Sequence, residues 1–89
     1  MAFSVLLHPR AAKELDKLEK QIAKRIIIGL RELRDNPETV GKILGPSDFW
    51  SLRIGDYRVI YEIDNTEKRV VVLFIGHRKR VYYDFSNLL

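Results

Sequence analysis

The fold is decided by one stretch of the chain, residues 49–63, which reads FWSLRIGDYRVIYEI. Its aromatic and β-branched residues favour extended strands. Gly55-Asp56 interrupts them as a two-residue hairpin turn, because glycine readily adopts the positive φ that a type II′ turn requires. The stretch therefore predicts antiparallel strands at 49–54 and 57–63. Their register pairs Ile54 with Tyr57, Arg53 with Arg58, Leu52 with Val59 and Trp50 with Tyr61.

This register gives the hairpin one apolar face and one basic face. The apolar face, which must pack against the core, consists of Trp50, Leu52, Ile54, Tyr57, Val59, Tyr61 and Ile63. The other face places Arg53 opposite Arg58, and like charges opposed across strands destabilise a sheet. An anion held between them would remove that penalty, because arginine brings several donors to a phosphate. The alternative is that each guanidinium turns into water or toward a carboxylate such as Glu62.

The segments around the hairpin complete an α+β order. Phe3 to Leu7 is a short apolar run that predicts a first strand, and Pro9 suits the first turn of a helix. An apolar stripe then predicts helices as far as Asn36-Pro37, with a break at 18–20 that favours a helix hairpin over one continuous helix. The stripe consists of Ala11, Leu15, Leu18, Ile22, Ile26, Leu30 and Leu33. Val70 to Ile75 adds a strand, so we expect an N-terminal strand, a helix hairpin and a three-stranded antiparallel meander in one sheet.

A second basic segment follows the last predicted strand. Residues 77–80 read HRKR and are followed by Val81, Tyr82 and Tyr83. Charges at a strand end are usually only solvated, but basic groups beside aromatic rings also suit RNA, because they offer phosphate contacts and stacking surfaces together. With the hairpin face included, the predicted RNA-binding residues are Arg53, His77, Lys79, Arg80 and Tyr83.

The register of the last hairpin stays open, because its turn is loose. Even pairing would place Arg78 beside Arg58, and odd pairing would place His77 there. Gly76 could host a β-bulge that redirects the residues after it. In either register we expect a cationic or titratable side chain to join the arginine pair.

Charge and composition narrow the class of protein. The 89 residues suit one domain, 1–89, and a formal net charge of +4 favours an anionic partner. A rival basic surface on one helix face consists of Lys13, Lys17, Lys20 and Lys24. Lysines on an exposed helix usually serve only solubility, so this surface is the weaker candidate.

The chain contains no cysteine, which excludes disulfides and thiolate nucleophiles and fits a reducing compartment. No signal-peptide pattern and no apolar run long enough for a bilayer occurs, so we expect a cytoplasmic protein without membrane contact. His8 and His77 lie far apart without carboxylates at ligand spacing, and no glycine-rich phosphate loop occurs, which predicts no metal and no small-molecule cofactor. A nuclease that works without a metal ion would be restricted to RNA, whose 2′-hydroxyl is an internal nucleophile.

Three segments resemble a known family. Residues 52–61, LRIGDYRVIY, resemble the signature of RelE-type toxins of the RelE/ParE superfamily, and residues 76–82, GHRKRVY, are similar to a segment that ends many members. Residues 42–45, KILG, resemble the K-L-x-G that precedes the meander. The helix hairpin and strand order also match, so the resemblance spans nearly the whole chain and implies a RelE/ParE-like, microbial RNase-like fold.

The resemblance implies the toxin of a type II toxin–antitoxin pair, with a RelB-like antitoxin as its partner. RelE-type toxins enter the ribosomal A site and cleave mRNA, leaving a 2′,3′-cyclic phosphate and a 5′-hydroxyl. By motif matching, the resemblance gives three residues catalytic roles. Arg58 would stabilise the scissile phosphate, Arg78 would protonate the leaving 5′-oxygen, and Tyr82 would orient or activate the 2′-hydroxyl.

The chain departs from the family pattern just before the signature. Well-studied members carry lysines there, one of them proposed as general base, whereas the matching positions lie near Phe49 and Ser51. Tyr82, His77 or Tyr83 could serve as the base instead. The superfamily also contains ParE toxins that poison DNA gyrase, so a gyrase inhibitor that acts by protein binding is the alternative function. A toxin that has kept its antitoxin interface and lost catalysis is a third.

Overall fold

The computed structural model describes residues 2–45 and 47–87. Along the chain, its elements are β1 (Ser4–Leu7), α1 (Pro9–Asp16), α2 (Lys20–Glu32), α3 (Pro37–Val40), β2 (Lys42–Ile43), β3 (Phe49–Ile54), β4 (Tyr57–Asp64), β5 (Arg69–His77) and α4 (Arg78–Ser86). The strands form one sheet in the order β1-β5-β4-β3-β2. β1 runs parallel to β5, and the other neighbours are antiparallel. The predicted α+β fold, with a helix hairpin between the first strand and the meander, is confirmed.

The β3–β4 hairpin has the register that its two-residue turn predicts. Gly55 has a φ of 59°, a left-handed value that glycine adopts without steric cost. Ile54 pairs with Tyr57, and Arg53 lies directly opposite Arg58. The turn therefore fixes which side chains share each face of the sheet.

The register between β4 and β5 corrects the expectation for the last hairpin. Gly76 is the residue opposite Arg58, and His77 pairs with Tyr57. The expectation that Arg78 or His77 would lie beside Arg58 was therefore wrong. Since residues paired across strands share a face, His77 lies on the same face as Tyr57, away from the two arginines.

Two local features set that register. Asp64 pairs with Arg69 across a short turn, and the Asp64 carboxylate accepts hydrogen bonds from two backbone N–H groups of the turn at 3.1 and 3.0 Å. Further along, β5 contains one extra residue, Leu73, between the partners of Ile60 and Tyr61. The extra residue forms a β-bulge. The bulge thus lies within β5 and not at the predicted glycine.

The sheet is covered on both faces. α1 and α2 cover one face, where the buried residues are Ala11, Ile26, Leu30, Leu33, Leu52, Val59, Tyr61, Val70, Val72 and Ile75. The predicted apolar face of the hairpin packs here, as expected. α4 covers part of the opposite face, with a smaller buried cluster of Ile60, Phe74, Val81 and Phe85. Within residues 2–45 and 47–87, each helix lacks the length and apolar character needed to cross a bilayer.

Helix α4 is an element that the sequence pattern did not predict. Its buried residues are Val81 and Phe85, and the Phe85 ring packs edge-on against Phe49 with 5.1 Å between centroids. His77 caps the helix, because its Nδ1 accepts a hydrogen bond from the backbone N–H of Lys79 at 3.3 Å. α4 therefore folds back over the face of the sheet that carries the arginine pair.

Candidate active site

A cavity of about 350 Å³ opens on the α4 side of the sheet. It lies between β2, β3, β4 and α4, and we call it the basic cavity. Its lining residues are Val40, Lys42, Ile43, Leu44, Ser51, Arg53, Arg58 and Tyr82. Three of these side chains are cationic and one is a phenol, whereas none is acidic, so the lining suits an anion.

A larger cavity, of about 510 Å³, has the opposite charge. The carboxylates among its lining residues are Glu38, Asp48, Glu62 and Asp64. They would repel a phosphate group, because like charges at close range disfavour binding. The basic cavity is therefore the better candidate for a nucleic-acid site, although it is the smaller one.

The two predicted arginines both line the basic cavity, and they are held differently. Arg53 is exposed, whereas Arg58 is half-buried. The Nη1 of Arg58 donates hydrogen bonds to the carbonyl oxygens of Gly55 and Tyr57, both at 2.9 Å. These bonds fix the guanidinium against the hairpin turn before any ligand arrives.

Neither arginine is neutralised by a carboxylate among the described residues. The ion pairs found there join Lys17 to Glu14, Arg69 to Asp64 and Arg80 to Asp84. Glu62, the carboxylate considered as an alternative partner, lines the larger cavity with the other carboxylates instead. The unneutralised arginine pair is the arrangement expected of a site that holds an anion.

Tyr82 reaches the basic cavity from α4 and contacts the sheet. Its Oη lies 2.8 Å from the Oγ of Ser51, a hydrogen bond in which either hydroxyl can donate. Ser51 is nearly buried, at 9% exposure, and stands between Trp50 and Leu52 on β3. The hydrogen bond fixes the phenol beside Arg58 and Arg53.

Lys42 is a site residue that the sequence reasoning left without a role. It lies on the short edge strand β2, directly opposite Ser51, and its side chain is an exposed part of the cavity lining. The only sequence signal was its place in the KILG segment. A two-residue strand offers no periodic pattern, so the contact between this segment and β3 was not predictable.

Tyr61 holds the segment that leads into β2. Its buried Oη donates a hydrogen bond to the carbonyl oxygen of Pro37 at 2.6 Å, and burial raises the pKa of Tyr61 to about 12. The phenol therefore stays neutral and keeps this bond at physiological pH. The backbone of Gly41 passes so close to the same ring that a Cβ there would collide with the Tyr61 oxygen.

Arg78 and His77 lie at the same end of the sheet but outside the cavity lining. Arg78 is the exposed first residue of α4, and its backbone N–H donates to the carbonyl oxygen of Asp56 at 2.8 Å. This contact places it beside the turn that joins the strands of Arg53 and Arg58. His77 packs its ring edge-on against Tyr57, 5.8 Å between centroids, on the opposite face.

The other predicted RNA-binding residues lie along the outer surface of α4. Lys79 is exposed, Arg80 is paired with Asp84 at 3.9 Å, and Tyr83 is 68% exposed. None of the three lines the basic cavity. The structure thus gathers Arg53, Arg58 and Tyr82 in one place and leaves the rest around it.

Comparison with known proteins identifies the family. A family model described as "ParE toxin of type II toxin-antitoxin system, parDE" matches residues 5–82. The chain belongs to the RelE/ParE superfamily of toxins. It is a toxin of a type II toxin–antitoxin system, as the three sequence segments suggested.

Curated relatives of this toxin carry RelE-type names. It is 34% identical to Toxin RelE of Mycobacterium tuberculosis strain ATCC 25618 / H37Rv, over 90% of this chain and 86% of that protein. It is 32% identical to Toxin RelG of the same organism, over 92% and 98% of the two chains. Among solved structures, a chain of the RelBE2 toxin–antitoxin complex from M. tuberculosis matches with a TM-score of 0.81 and 31% identity, covering 88% of this chain and 93% of that one. The RelE/ParE-like fold is therefore confirmed.

Proposed function

We propose that this toxin is a ribosome-dependent mRNA endonuclease that acts through the 2′-hydroxyl of its own substrate. The observation that carries the proposal is the basic cavity, where Lys42, Arg53 and Arg58 converge beside the hydroxyl of Tyr82. A lining of three cations suits a transition state that gathers negative charge. It also disfavours a divalent metal ion, which needs oxygen ligands such as carboxylates.

The proposed reaction makes one bond and breaks one. The 2′-oxygen attacks phosphorus and the 5′-oxygen leaves, which yields a 2′,3′-cyclic phosphate and a 5′-hydroxyl. Negative charge grows on the non-bridging oxygens as the attack proceeds. Arg58 binds these oxygens, and its guanidinium is already fixed by two backbone carbonyls. A preorganised donor of this kind is typically worth about 10²–10³ in rate.

The protons move at two positions. Of the three residues left open as the base, Tyr82 belongs to the cavity lining, whereas His77 lies on the other face and Tyr83 points outward from α4. We therefore assign the orientation of the 2′-hydroxyl to Tyr82, whose phenol is held by the hydrogen bond to Ser51, and water accepts the proton of the 2′-hydroxyl. Arginine does not deprotonate in proteins, so Arg78 hydrogen-bonds the leaving 5′-oxygen while water supplies its proton.

The basic surface of the toxin also indicates what kind of partner would bind it. The solved RelBE2 relative is a toxin–antitoxin complex, and a 28% identical archaeal relative from Pyrococcus horikoshii OT3 is a RelE-RelB complex. The net charge of +4 suits a RelB-like antitoxin whose acidic or amphipathic segment covers the basic cavity. Free of it, the toxin would meet mRNA on cytoplasmic ribosomes, where Lys79, Arg80 and Tyr83 add phosphate and stacking contacts.

Primer extension on an mRNA under translation in a purified system tests this function. The toxin should cut within the codon in the A site, because the ribosome presents a single phosphodiester to the basic cavity. Prior treatment of the toxin with EDTA, followed by its removal, should leave the cutting unchanged. Addition of a cognate RelB-like antitoxin should abolish it.

Two results would contradict the proposal. Cutting that is lost on EDTA treatment and restored by zinc or manganese would require a metal-dependent mechanism. An uncut mRNA together with inhibited supercoiling by DNA gyrase would establish the ParE-type alternative instead.

A further inference from the structure

The third cation of the basic cavity comes from the strand at the edge of the sheet. Lys42 pairs with Ser51 across β2 and β3, and so shares the face of the sheet that carries Arg53. We propose that Lys42 is a catalytic residue that binds a non-bridging oxygen of the scissile phosphate opposite Arg58. The inference rests on the proposed endonuclease function and deepens it.

The backbone of Lys42 is held in place by its surroundings, whereas its side-chain ammonium is exposed. Tyr61 anchors the chain at Pro37, and Gly41 packs against the same ring immediately before the lysine. Pairing of β2 with β3 then sets the direction of the side chain. An ammonium on a flexible stem can follow the phosphate as its geometry changes, whereas the fixed guanidinium of Arg58 cannot.

An exposed lysine usually carries only a solvated charge. The surroundings of Lys42 argue against that interpretation. Lys17, the exposed residue that directly follows α1, lies 3.8 Å from a carboxylate oxygen of Glu14. Lys42 has no such partner among the described residues and instead shares a cavity with two unneutralised arginines. Three cations gathered without a counter-ion repel one another, and a bound phosphodiester relieves that repulsion.

Lys42 contributes a positive charge that the two hydroxyl groups beside it lack. Ser51 and Tyr82 are neutral hydrogen-bonding groups, so they can place the 2′-hydroxyl but carry no charge for the transition state. Lys42 lies opposite Ser51, on the side of the cavity away from the hairpin turn that holds Arg58. The phosphate would then be held by charge from two sides, which favours the pentacoordinate transition state over the ground state.

Single-turnover cleavage on programmed ribosomes tests the inference with three variants. Lys42→Met keeps most of the stem and removes the charge, and it should lower the cleavage rate by roughly 10²–10³. Lys42→Arg keeps the charge and should restore most of the lost rate. Lys24→Met, at an exposed lysine of α2 away from the cavity, is the matched control and should cleave like the wild type. All three should unfold at the wild-type temperature, because both lysines are exposed.

The outcomes separate this inference from the function on which it rests. If the wild type cuts and Lys42→Met cuts as fast as Lys24→Met, Lys42 has no catalytic role and the endonuclease function stands. If the wild type itself leaves the mRNA intact, the endonuclease function fails and the inference fails with it. A slow Lys42→Met that also melts early, and that arginine does not rescue, would make the lysine structural and overturn the inference.

Discussion

At the scale of single residues, the contact between Ser51 and Tyr82 joins the core of the sheet to the proposed chemistry. Ser51 is 9% exposed, and its Oγ lies 2.8 Å from the Tyr82 hydroxyl. A neutral hydrogen bond contributes only about 0.5–1.5 kcal/mol to stability, so the protein stays folded without it. Its main effect should be on cleavage, because it fixes the phenol proposed to orient the 2′-hydroxyl.

A double-mutant cycle of these two residues checks that effect. Ser51→Ala and Tyr82→Phe should each slow single-turnover cleavage. The double variant should be no slower than Tyr82→Phe alone, since the serine acts only through the phenol. Effects that multiply in the double variant would mean that the two hydroxyls act independently.

The sequence predicted part of this site for a definite physical reason. A two-residue turn at Gly55-Asp56 leaves one possible register, so the opposition of Arg53 and Arg58 followed directly. The place of Tyr82 came from family resemblance alone. Lys42 was missed because its contact with β3 depends on a loop and a two-residue strand, which carry no hydrophobic period.

At the scale of elements, the short strand β2 depends on one close packing contact. Gly41 has extended backbone angles that any residue adopts, φ −110° and ψ 179°, so its conformation does not require glycine. The lack of space requires glycine at this position, because a Cβ would collide with the buried hydroxyl of Tyr61. The glycine therefore lets α3 and β2 lie against the sheet and places Lys42 at the cavity.

Gly41→Ala should consequently destabilise the protein and displace Lys42. Forcing a methyl group into a packed interior typically costs about 1–3 kcal/mol, which thermal unfolding measures. Gly76→Ala is the matched control, because its Cβ would lie at an ordinary 3.7 Å from Val81. Equal unfolding temperatures for the two variants would show that the Gly41 contact does not support β2.

The elements also differ in how well their sequence predicted them. The helix hairpin followed from a long apolar stripe with a clear break. The β4–β5 register did not, because it depends on the Asp64 turn and on a bulge at Leu73, neither of which leaves a periodic signal. α4 was missed because only Val81 and Phe85 form its buried side and a basic segment precedes them.

At the scale of the whole molecule, the cations of the basic cavity are separate from the buried residues that stabilise the fold. The buried clusters that hold the fold together contain none of the three cations of the basic cavity. The carboxylates Glu38, Asp48, Glu62 and Asp64 line a second cavity, which adjoins the basic cavity at Ile43. The three cations can therefore be replaced while the core remains, whereas Tyr82 packs against the smaller buried cluster. The charge of the proposed site is thus separable from folding.

Two arginines test the central claim most directly. Arg58→Ala removes the guanidinium proposed to bind the phosphate, and Arg78→Ala removes the group proposed to bind the leaving oxygen. Each should lower single-turnover cleavage of ribosome-bound mRNA by roughly 10²–10³. Lys17→Ala, at the exposed residue that follows α1, should cleave like the wild type, because an exposed ion pair contributes little.

The decisive measurement compares these cleavage rates with thermal unfolding of the same proteins. Substitution of an exposed residue such as Arg78 or Lys17 changes stability by only about ±0.5 kcal/mol, so those two variants should melt close to the wild type. Arg58→Ala also loses two hydrogen bonds to backbone carbonyls, so it should melt somewhat lower but remain folded at the temperature of the assay. The account predicts slow cleavage in both arginine variants while both are still folded. Full activity in both, or lost activity that follows a large drop in melting temperature, would contradict it.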